Sequence, residues 1–408
     1  MTAPAPARFA PNLAARHRRG RFFRGLFFAA TLVALIALAV LIGTVVNRAF
    51  GLVAVAYAVD PATISHRPLP EMSHDELQAM LEANASRGLL RRLEREKPLS
   101  DRSREELLDL LVGEVLQEQV VQTWTLWESI TRAPQIEAGV AASHPEARLS
   151  FRSWINGRFL TQPMSSHALE AGVRTAVLGS LLMGLLTMAF AIPLGVATAV
   201  YLEEYTSGSW ARRIIQTNID NLAGVPSIIY GMLGLALFVR FLEPLTSGAI
   251  LGVADSNGRT ILAASLTMAL LILPVIIINA QEALRAVPRS LRQASFGLGA
   301  TRGQTVWSHV LPAALPGILT GTILGVSRLV GETAPLIIVG ASTYIVTDPN
   351  GLFSKFTALP IQIYNWTSRP QPEFAHLAAA AILVLLLLLL GLNAGAILIR
   401  NHYRRRLG

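Results

Sequence analysis

Arg328 and Glu332 stand four residues apart in a run of otherwise apolar and small residues at 314–340. On a helix that spacing puts a cation and an anion on one face, where they can pair. Counted from Ala314, Arg328 lies about 21 Å into the run at 1.5 Å per residue. A charge that deep in hydrocarbon costs at least about 2.5–3.5 kcal/mol. Pairing offsets part of that cost but gives no reason for the charges to be there. Such pairs either fix helix register or mark the path of a solute. Gly317, Gly321 and Gly325 repeat at four residues in the same run, and Gly317, Arg328, Glu332 and Pro335 fall on one stripe. Small residues allow helices to approach closely. The stripe is expected to face the bundle centre or a second subunit, not lipid.

Other polar groups lie near apolar runs. Asn218, Asp220 and Asn221 come early in a run that Pro226 interrupts. Pro226 has no N–H and frees the Leu222 carbonyl, so either a broken helix lines a path or a helix start is solvated. Arg174 and Arg240 sit near the outer ends of runs. They snorkel to the interface or form a vestibule for anions.

The elements that position these residues are membrane spans. The chain has 408 residues, 52% hydrophobic and 15% charged, against about 25% charged in soluble domains. With no cysteine, it has no disulfide framework, thiolate metal site or cysteine nucleophile. Six runs approach the roughly 20 residues that cross about 30 Å of hydrocarbon. They are 26–46, roughly 172–201, 214–241, 261–280, 314–340 and 375–399. The first exceeds the 7–15 residues or so of a signal-peptide core and is expected to stay as an anchor, although Ala54-Val55-Ala56 offers a small-x-small cleavage pattern.

The net charge of +9 comes as arginine clusters beside these runs. That is the pattern of membrane orientation, not the solvated basic patch of a nucleic-acid binder. Arg8, Arg16, Arg18, Arg19, Arg21 and Arg24 precede the first run. Arg212 and Arg213 follow the second, Arg285, Arg289, Arg292 and Arg302 the fourth, and Arg400, Arg404, Arg405 and Arg406 the sixth. The opposite short loops hold only Arg259, Lys355 and Arg369. Both termini are thus expected in the cytoplasm, in agreement with six spans.

Residues 47–171 form an insertion outside the cytoplasm, expected to be mostly helical. Ser73 with Glu76, and Ser103 with Glu106, fit capping boxes. Leu107, Leu108, Leu111, Val115 and Leu116 recur at helical spacing. Trp124 and Trp127 are expected on one helix face, as core or as interface anchors. His66, His74 and His144 are scattered and read as solvated.

Residues 281–317 form a loop of another kind. Pro288 suits a helix start. Leu284, Leu291, Ala294 and Leu298 fall near one face, with Arg285, Arg289 and Arg292 elsewhere. Gly299 suits a left-handed cap, and Leu311-Pro312 is expected to restart a helix. An amphipathic helix between two spans needs a protein partner or an interfacial position.

The pattern Ala294-Ser295, Gly299 and Leu311-Pro312 resembles the EAA loop of ATP-binding-cassette import permeases, which docks the ATPase subunit. Gln293 and His309 depart from it, standing where glutamate and an aliphatic residue are usual. The strings NLAGVPSIIYG (221–231), EALRAVPRSLRQAS (282–295), SRLVGETAPLI (327–337) and FTALPIQIYNWTSRP (356–370) are similar to those of PstA-type permeases, the membrane subunits of bacterial phosphate importers. The resemblance covers about 165–408.

It implies an all-α integral membrane protein with six spans. The chain then divides into a basic tail (1–25), a first span (26–46), the insertion (47–171), a five-helix permease core (172–399) with a coupling loop at 281–313, and a second tail (400–408). Glu282, Leu284, Arg285, Leu291, Ala294, Ser295, Gly299, Leu311 and Pro312 would couple to the ATPase. Arg328 would contact phosphate dianion in passage, and Glu332 would keep that contact weak enough for release. Arg174, Arg240, Asn218 and Asp220 are the further pathway candidates, and Gly317, Gly321 and Gly325 the packing residues.

The implied partners are a second, PstC-like permease, a PstB-like ATPase dimer carrying ATP and Mg, and a PstS-like extracytoplasmic phosphate-binding protein, all in the inner membrane or at its surface. The chain itself is not expected to be an enzyme. The only lysines, Lys97 and Lys355, do not follow a glycine, so there is no P-loop.

Three other functions compete. A permease of the same family for another oxyanion or solute would share the fold. A membrane receptor or scaffold with 47–171 as sensing domain would lack an ATPase partner. A proton-coupled carrier would show internal repeats, and none is evident.

Overall fold

The computed structural model describes residues 13–57, 72–206, 208–253 and 257–407; Arg8 and His66 lie outside these, as do the side chains of Arg404, Arg405 and Arg406. In chain order the elements are α1 (Leu13–Ala49), β1 (Phe50–Tyr57), α2 (His74–Asn84), α3 (Arg87–Glu96), α4 (Arg104–Leu110), β2 (Glu118–Thr123), α5 (Leu126–Thr131), α6 (Ala133–Ser143), β3 (Arg148–Ser153) and α7 (Gly157–Thr161). The core then follows: α8 (Arg174–Tyr205), α9 (Trp210–Ala223), α10 (Ser227–Phe241), α11 (Glu243–Thr246), α12 (Ile261–Ala286), α13 (Arg289–Gly297), α14 (Arg302–Gly331), α15 (Ala334–Val339), α16 (Leu359–Thr367) and α17 (Pro372–Leu407). Five of these helices are long and apolar enough to cross a membrane, and the bent pair α9–α10 adds a sixth crossing if it counts as one span.

Helix α12 is the centre of the bundle. Two-thirds of its apolar window is buried, whereas the apolar window of α1 is wholly exposed. Ala263, Ala264, Ser265 and Thr267 let neighbours come close. Against α8, the Thr187 hydroxyl donates to the Ser265 carbonyl at 3.2 Å, and Ser265 Oγ donates to the Met183 carbonyl at 3.3 Å.

The glycine stripe of α14 packs on α12. A Cβ on Gly317 would meet Ala283, one on Gly321 would meet Asn279, and one on Gly325 would meet Ile276. The stripe faces a helix of its own chain. The partners run down α12 as the glycines run up α14, so the two are antiparallel. By that register Arg328 lies level with about Ile272, near the middle of α12.

Two expectations for the fifth span are corrected. The helix restarts at Arg302, ahead of Leu311, because its N-cap Thr301 and Gln304 form a capping box. It also ends at Gly331, not Gly340. Pro335 has no N–H to offer the Gly331 carbonyl four residues back. Glu332 is extended at φ −81°, ψ 121°, and α15 follows as a separate short helix.

The insertion holds more than helices. β1 pairs antiparallel with β2 and with β3, giving a three-stranded sheet in the order β2-β1-β3. Gly51 lies so close to the Trp124 carbonyl that no side chain fits there. Trp124 follows β2 and donates its amide to the Leu52 carbonyl at 3.0 Å, while Trp127 is on α5 and 69% exposed. The two tryptophans therefore do not share a helix face. The Trp127 amide donates to Asn47 Oδ1 at the end of α1. The Ser73 and Ser103 capping boxes both form, and Leu107, Leu111 and Leu116 are buried. His74 Nε2 donates to the Arg102 carbonyl at 2.9 Å, and His144 lies against Glu146 at 3.4 Å.

The sheet sits where α16 ends and α17 begins, and Val53, Trp154 and Phe159 pack there with Trp366, Phe374 and Leu377. Trp154 stacks on His376, whose Nδ1 donates to the Arg48 carbonyl at 2.6 Å. The insertion is thereby fixed to the first and last spans.

Candidate functional site

Two broken helices meet at the middle of the bundle. α9 and α10 are bent by 106° across residues 224–226. The Leu222 carbonyl that Pro226 leaves open accepts from the Tyr230 hydroxyl at 2.7 Å. In the second break, between α14 and α15, Pro335 packs on Gly231 of α10. Arg328 and Glu332 flank this break, with Arg328 Nε donating to Glu332 Oε1 at 3.3 Å.

The pair is not sealed. The Arg328 side chain is 36% and the Glu332 side chain 20% exposed. The terminal amino groups of Arg328 have no hydrogen-bond partner among the described residues. A guanidinium carries five donors in a planar fork suited to oxyanions. The site therefore offers unused donors at mid-depth, next to an anion that weakens their hold.

Helix α13 and its flanks form a second polar region. Gly299 takes φ +82° and ends the element, as its position requires. Ser295 Oγ and Thr305 Oγ1 share a buried hydrogen bond of 2.9 Å, which ties α13 to α14. Leu284 is buried and Leu291 half-buried, with Glu282, Arg285 and Ala294 exposed. Leu298 and Trp307 are exposed at 90% and 73%. Leu311 and Pro312 lie inside α14, not at its start.

The anchors of this region are Glu203 and Glu204 at the end of α8. Glu203 Oε1 accepts from Arg285 at 2.6 Å, Arg212 at 3.1 Å and Gln281 at 3.2 Å. Glu204 pairs with Arg292 at 2.7 Å, and Arg292 also donates to the Leu284 and Val287 carbonyls at 2.9 and 2.8 Å. Arg292 thereby caps the C-terminal end of α12, reaching the Val287 carbonyl and sharing the Leu284 carbonyl with the Val287 amide. Gln281 also bonds Gln216, which bonds Asp220 at 2.9 Å. Asp220 accordingly belongs with this network, while Asn218, two residues before it and on the other side of α9, is exposed and bonds the Ile214 carbonyl.

At the N-terminal end of α8, Arg174 pairs with Asp348 at 2.9 Å, and Thr175 donates to the same carboxylate at 2.8 Å. Asp348 and Lys355 line an open cavity of about 580 Å³. Arg240 is exposed at the end of α10 and does not join this group.

Sequence reasoning did not single out Glu203, Glu204, Tyr230 or Asp348. Two adjacent acids directly after a span, facing an arginine-rich loop, were a usable signal; orientation counts read only lysine and arginine. Among the described residues no group of His, Asp or Glu could hold a metal ion.

Residues 191–407 match the family model described as the binding-protein-dependent transport system inner membrane component. A PstA phosphate transport permease of Mycobacterium leprae is 39% identical over 50% of this chain and 62% of that protein. The PstA of Yersinia pestis is 32% identical over 56% of this chain and 72% of its own. The chain thus spans about three-fifths of the mycobacterial relative's length. Among solved structures, an inward-facing MetNI methionine ABC transporter aligns over 57% of this chain and 94% of its own, with 21% identity and a TM-score of 0.42. With the family match covering more than half of its residues, the chain belongs to the inner membrane components of binding-protein-dependent transport systems, and permeases named for phosphate transport are among its relatives.

Proposed function

We propose that this chain is a permease subunit of an ATP-driven phosphate importer. It would form half of the transmembrane route and dock a separate ATPase through α13. The observation that carries the reading is Arg328, a mid-depth guanidinium with unused donors where two broken helices meet. Half-helices of this kind build the substrate sites of many transporters. Relatives named for phosphate transport make phosphate dianion the matching oxyanion.

Arg328 binds the ion, and Glu332 limits the affinity so that the ion leaves. The exposed Leu298 and Phe296 of the α13 region fit a cleft in an ATPase subunit. On this reading both basic termini and the α13 loop face the cytoplasm, and the insertion lies outside. A second permease, an ATPase dimer with ATP and Mg, and an extracytoplasmic phosphate-binding protein complete the machine.

The test is phosphate uptake by vesicles holding the assembled complex with Arg328→Gln. Uptake is expected to fall about 10–100-fold, the effect of losing a charged hydrogen bond worth about 1.5–3 kcal/mol, with assembly intact. Full uptake would refute the role. Loss of assembly would return the pair to a packing function.

A further inference from the structure

We infer that Arg259 is a second oxyanion station, which receives the ion at the far end of α15 and passes it to Arg328. The inference rests on the phosphate-permease reading above. It gives a role to a cation that the reading leaves idle.

Two helices lead from the break to Arg259. α10 and α15 start together, where Pro335 packs on Gly231. They also end together. Gly258 lies against the Val239 carbonyl near the end of α10, and Arg259 lies across Gly340 at the end of α15. Gly340 comes five residues after Pro335, which is about 8 Å of helix at 1.5 Å per residue. A guanidinium thus stands near each end of α15. On the reading above, Arg259 faces the extracytoplasmic side, since α12 runs from here to the α13 loop.

The backbone is built to hold Arg259 in place. Asn257 and Gly258 take φ +45° and +70°. A non-glycine residue with positive φ carries strain that the surrounding structure has to hold. Gly340 takes φ +104°, and a Cβ on it would meet Arg259 Cδ, Nε and Cγ at 2.6, 2.9 and 3.0 Å. Glycine alone lets the arginine stem cross at this point.

The stem is fixed, but the guanidinium is free. Arg259 is exposed and makes no hydrogen bond or ion pair among the described residues. It does not cap α15, because the Leu336 and Ile337 carbonyls accept from the Gly340 and Ala341 amides. One acid is close: Glu243, whose Cγ would lie 3.4 Å from a Cβ on Gly258. It is exposed and pairs with no cation among the described residues. Arg240, next to Val239, is exposed at the same corner and likewise unpaired among the described residues. Two guanidiniums against one carboxylate leave the corner positive.

A guanidinium offers donors in a planar fork that suits an oxyanion. An exposed positive charge raises the rate at which anions arrive. The half-exposed side of α15 carries Ile337, an apolar side chain with nothing to hold an ion between the two arginines. Arg259 therefore gathers the ion, and Arg328 binds it in passage.

The chain has no native cysteine, so the charge at position 259 can be set chemically. Arg259→Cys is placed in the assembled complex, with cysteine-free partner subunits. Uptake of inorganic phosphate at low ionic strength is expected to fall about tenfold, the low end of what a focused charge does to an arrival rate. Added salt is expected to shrink the difference, because it screens an exposed charge. A cationic trimethylammonium methanethiosulfonate, added from the extracytoplasmic side, is expected to restore most of the uptake. The anionic sulfonate reagent is expected to lower it further. Docking of the phosphate-binding protein on the complex is expected to match the parent.

Equal responses to the two reagents, or parental uptake in Arg259→Cys, overturn the inference. So does weaker docking of the binding protein that accounts for the loss, since Arg259 would then be a docking contact. Arg259→Gln keeps part of the stem over Gly340 and serves where the cysteine variant fails to assemble. The same loss is expected there, and parental uptake overturns the inference. The two readings fail separately: if Arg328→Gln abolishes uptake while both Arg259 variants transport normally, the importer reading stands and this station falls.

Discussion

The charges around α13 and the charges at the helix break are built differently. Near α13 the two acids at the end of α8 are saturated. Glu203 holds Arg285, Arg212 and Gln281, while Glu204 holds Arg292, whose remaining donors close the end of α12. At the break a single 3.3 Å bond joins Arg328 to Glu332, and the rest of the guanidinium fork is open. A saturated network resists change and transmits force. An unsaturated one at mid-depth has a cost that protein contacts do not offset, and a bound anion offsets it. The difference fits the proposed function, with coupling at the first region and transport at the second.

The strongest way to break this comparison is Glu204→Ala. Glu204 and Arg292 are 12% and 18% exposed. Removing one partner of a buried pair costs about 3–5 kcal/mol, because the other charge is left behind. Thermal unfolding of the detergent-solubilised complex should drop sharply, and the ATPase should no longer co-purify. Arg292→Leu added to Glu204→Ala should recover part of the loss. If the single variant melts and assembles as the parent does, the network is not structural and the contrast fails.

Glu332→Gln sharpens the other half. It removes the anion that competes with substrate for Arg328, so phosphate should bind more tightly and leave more slowly. Both KM and kcat for uptake should fall, each by up to about tenfold, since a charged hydrogen bond contributes about 1.5–3 kcal/mol. A role confined to packing predicts a different result, with lower assembly and unchanged KM.

Much of the fold was legible because hydrocarbon allows few solutions. The apolar runs marked the spans, Pro226 marked a break that exists, and Gly299 marked a cap that forms. The direction of the glycine stripe was legible only as far as "not lipid". Its actual partner, α12, depends on register, which periodicity does not carry. The end of α14 was misplaced because the apolar run continues past Gly331, while the backbone answers to Pro335 and not to hydropathy. The sheet in the insertion was missed because β1 joins α1 directly and its strand partners lie far along the chain, beside Trp124 and Trp154. At the site, Arg328 and Glu332 were visible by type and spacing. Tyr230 was not, since its role is to fill a carbonyl that only the folded break exposes. Glu203 and Glu204 were visible in principle but had no known partner until α13 was placed against α8.

A smaller effect tests whether the coupling region is rigid through neutral contacts as well as ionic ones. Ser295 and Thr305 share a buried hydrogen bond between α13 and α14. Ser295→Ala should cost about 1 kcal/mol and leave phosphate affinity unchanged. Limited proteolysis of the 286–301 segment should quicken several-fold in the variant. Equal cleavage would mean that the ion pairs alone hold α13.

The smallest effect comes from a charge that is saturated outside the membrane, and it serves as a control on the idea of saturation itself. Glu128 accepts from the Thr125 amide and hydroxyl at 2.9 and 2.8 Å in a capping box at the start of α5. Those bonds, the backbone one foremost, hold its carboxyl below the ordinary glutamate value. A carboxylate with a depressed folded pKa contributes stability that is present above its unfolded pKa and is lost as pH falls through the folded one. The insertion should therefore lose stability on acidification, and Glu128→Gln should lose less. The two proteins should differ at neutral pH, by about 1 kcal/mol or less for a cap of this kind, and converge in acid. Local hydrogen exchange of α5 and β1 would follow it, since α5 ties Trp127 to Asn47 at the end of the first span. A difference that stayed constant with pH would show that the carboxylate adds nothing as a charge. Saturated charge in this chain would then be a matter of geometry and not of electrostatics.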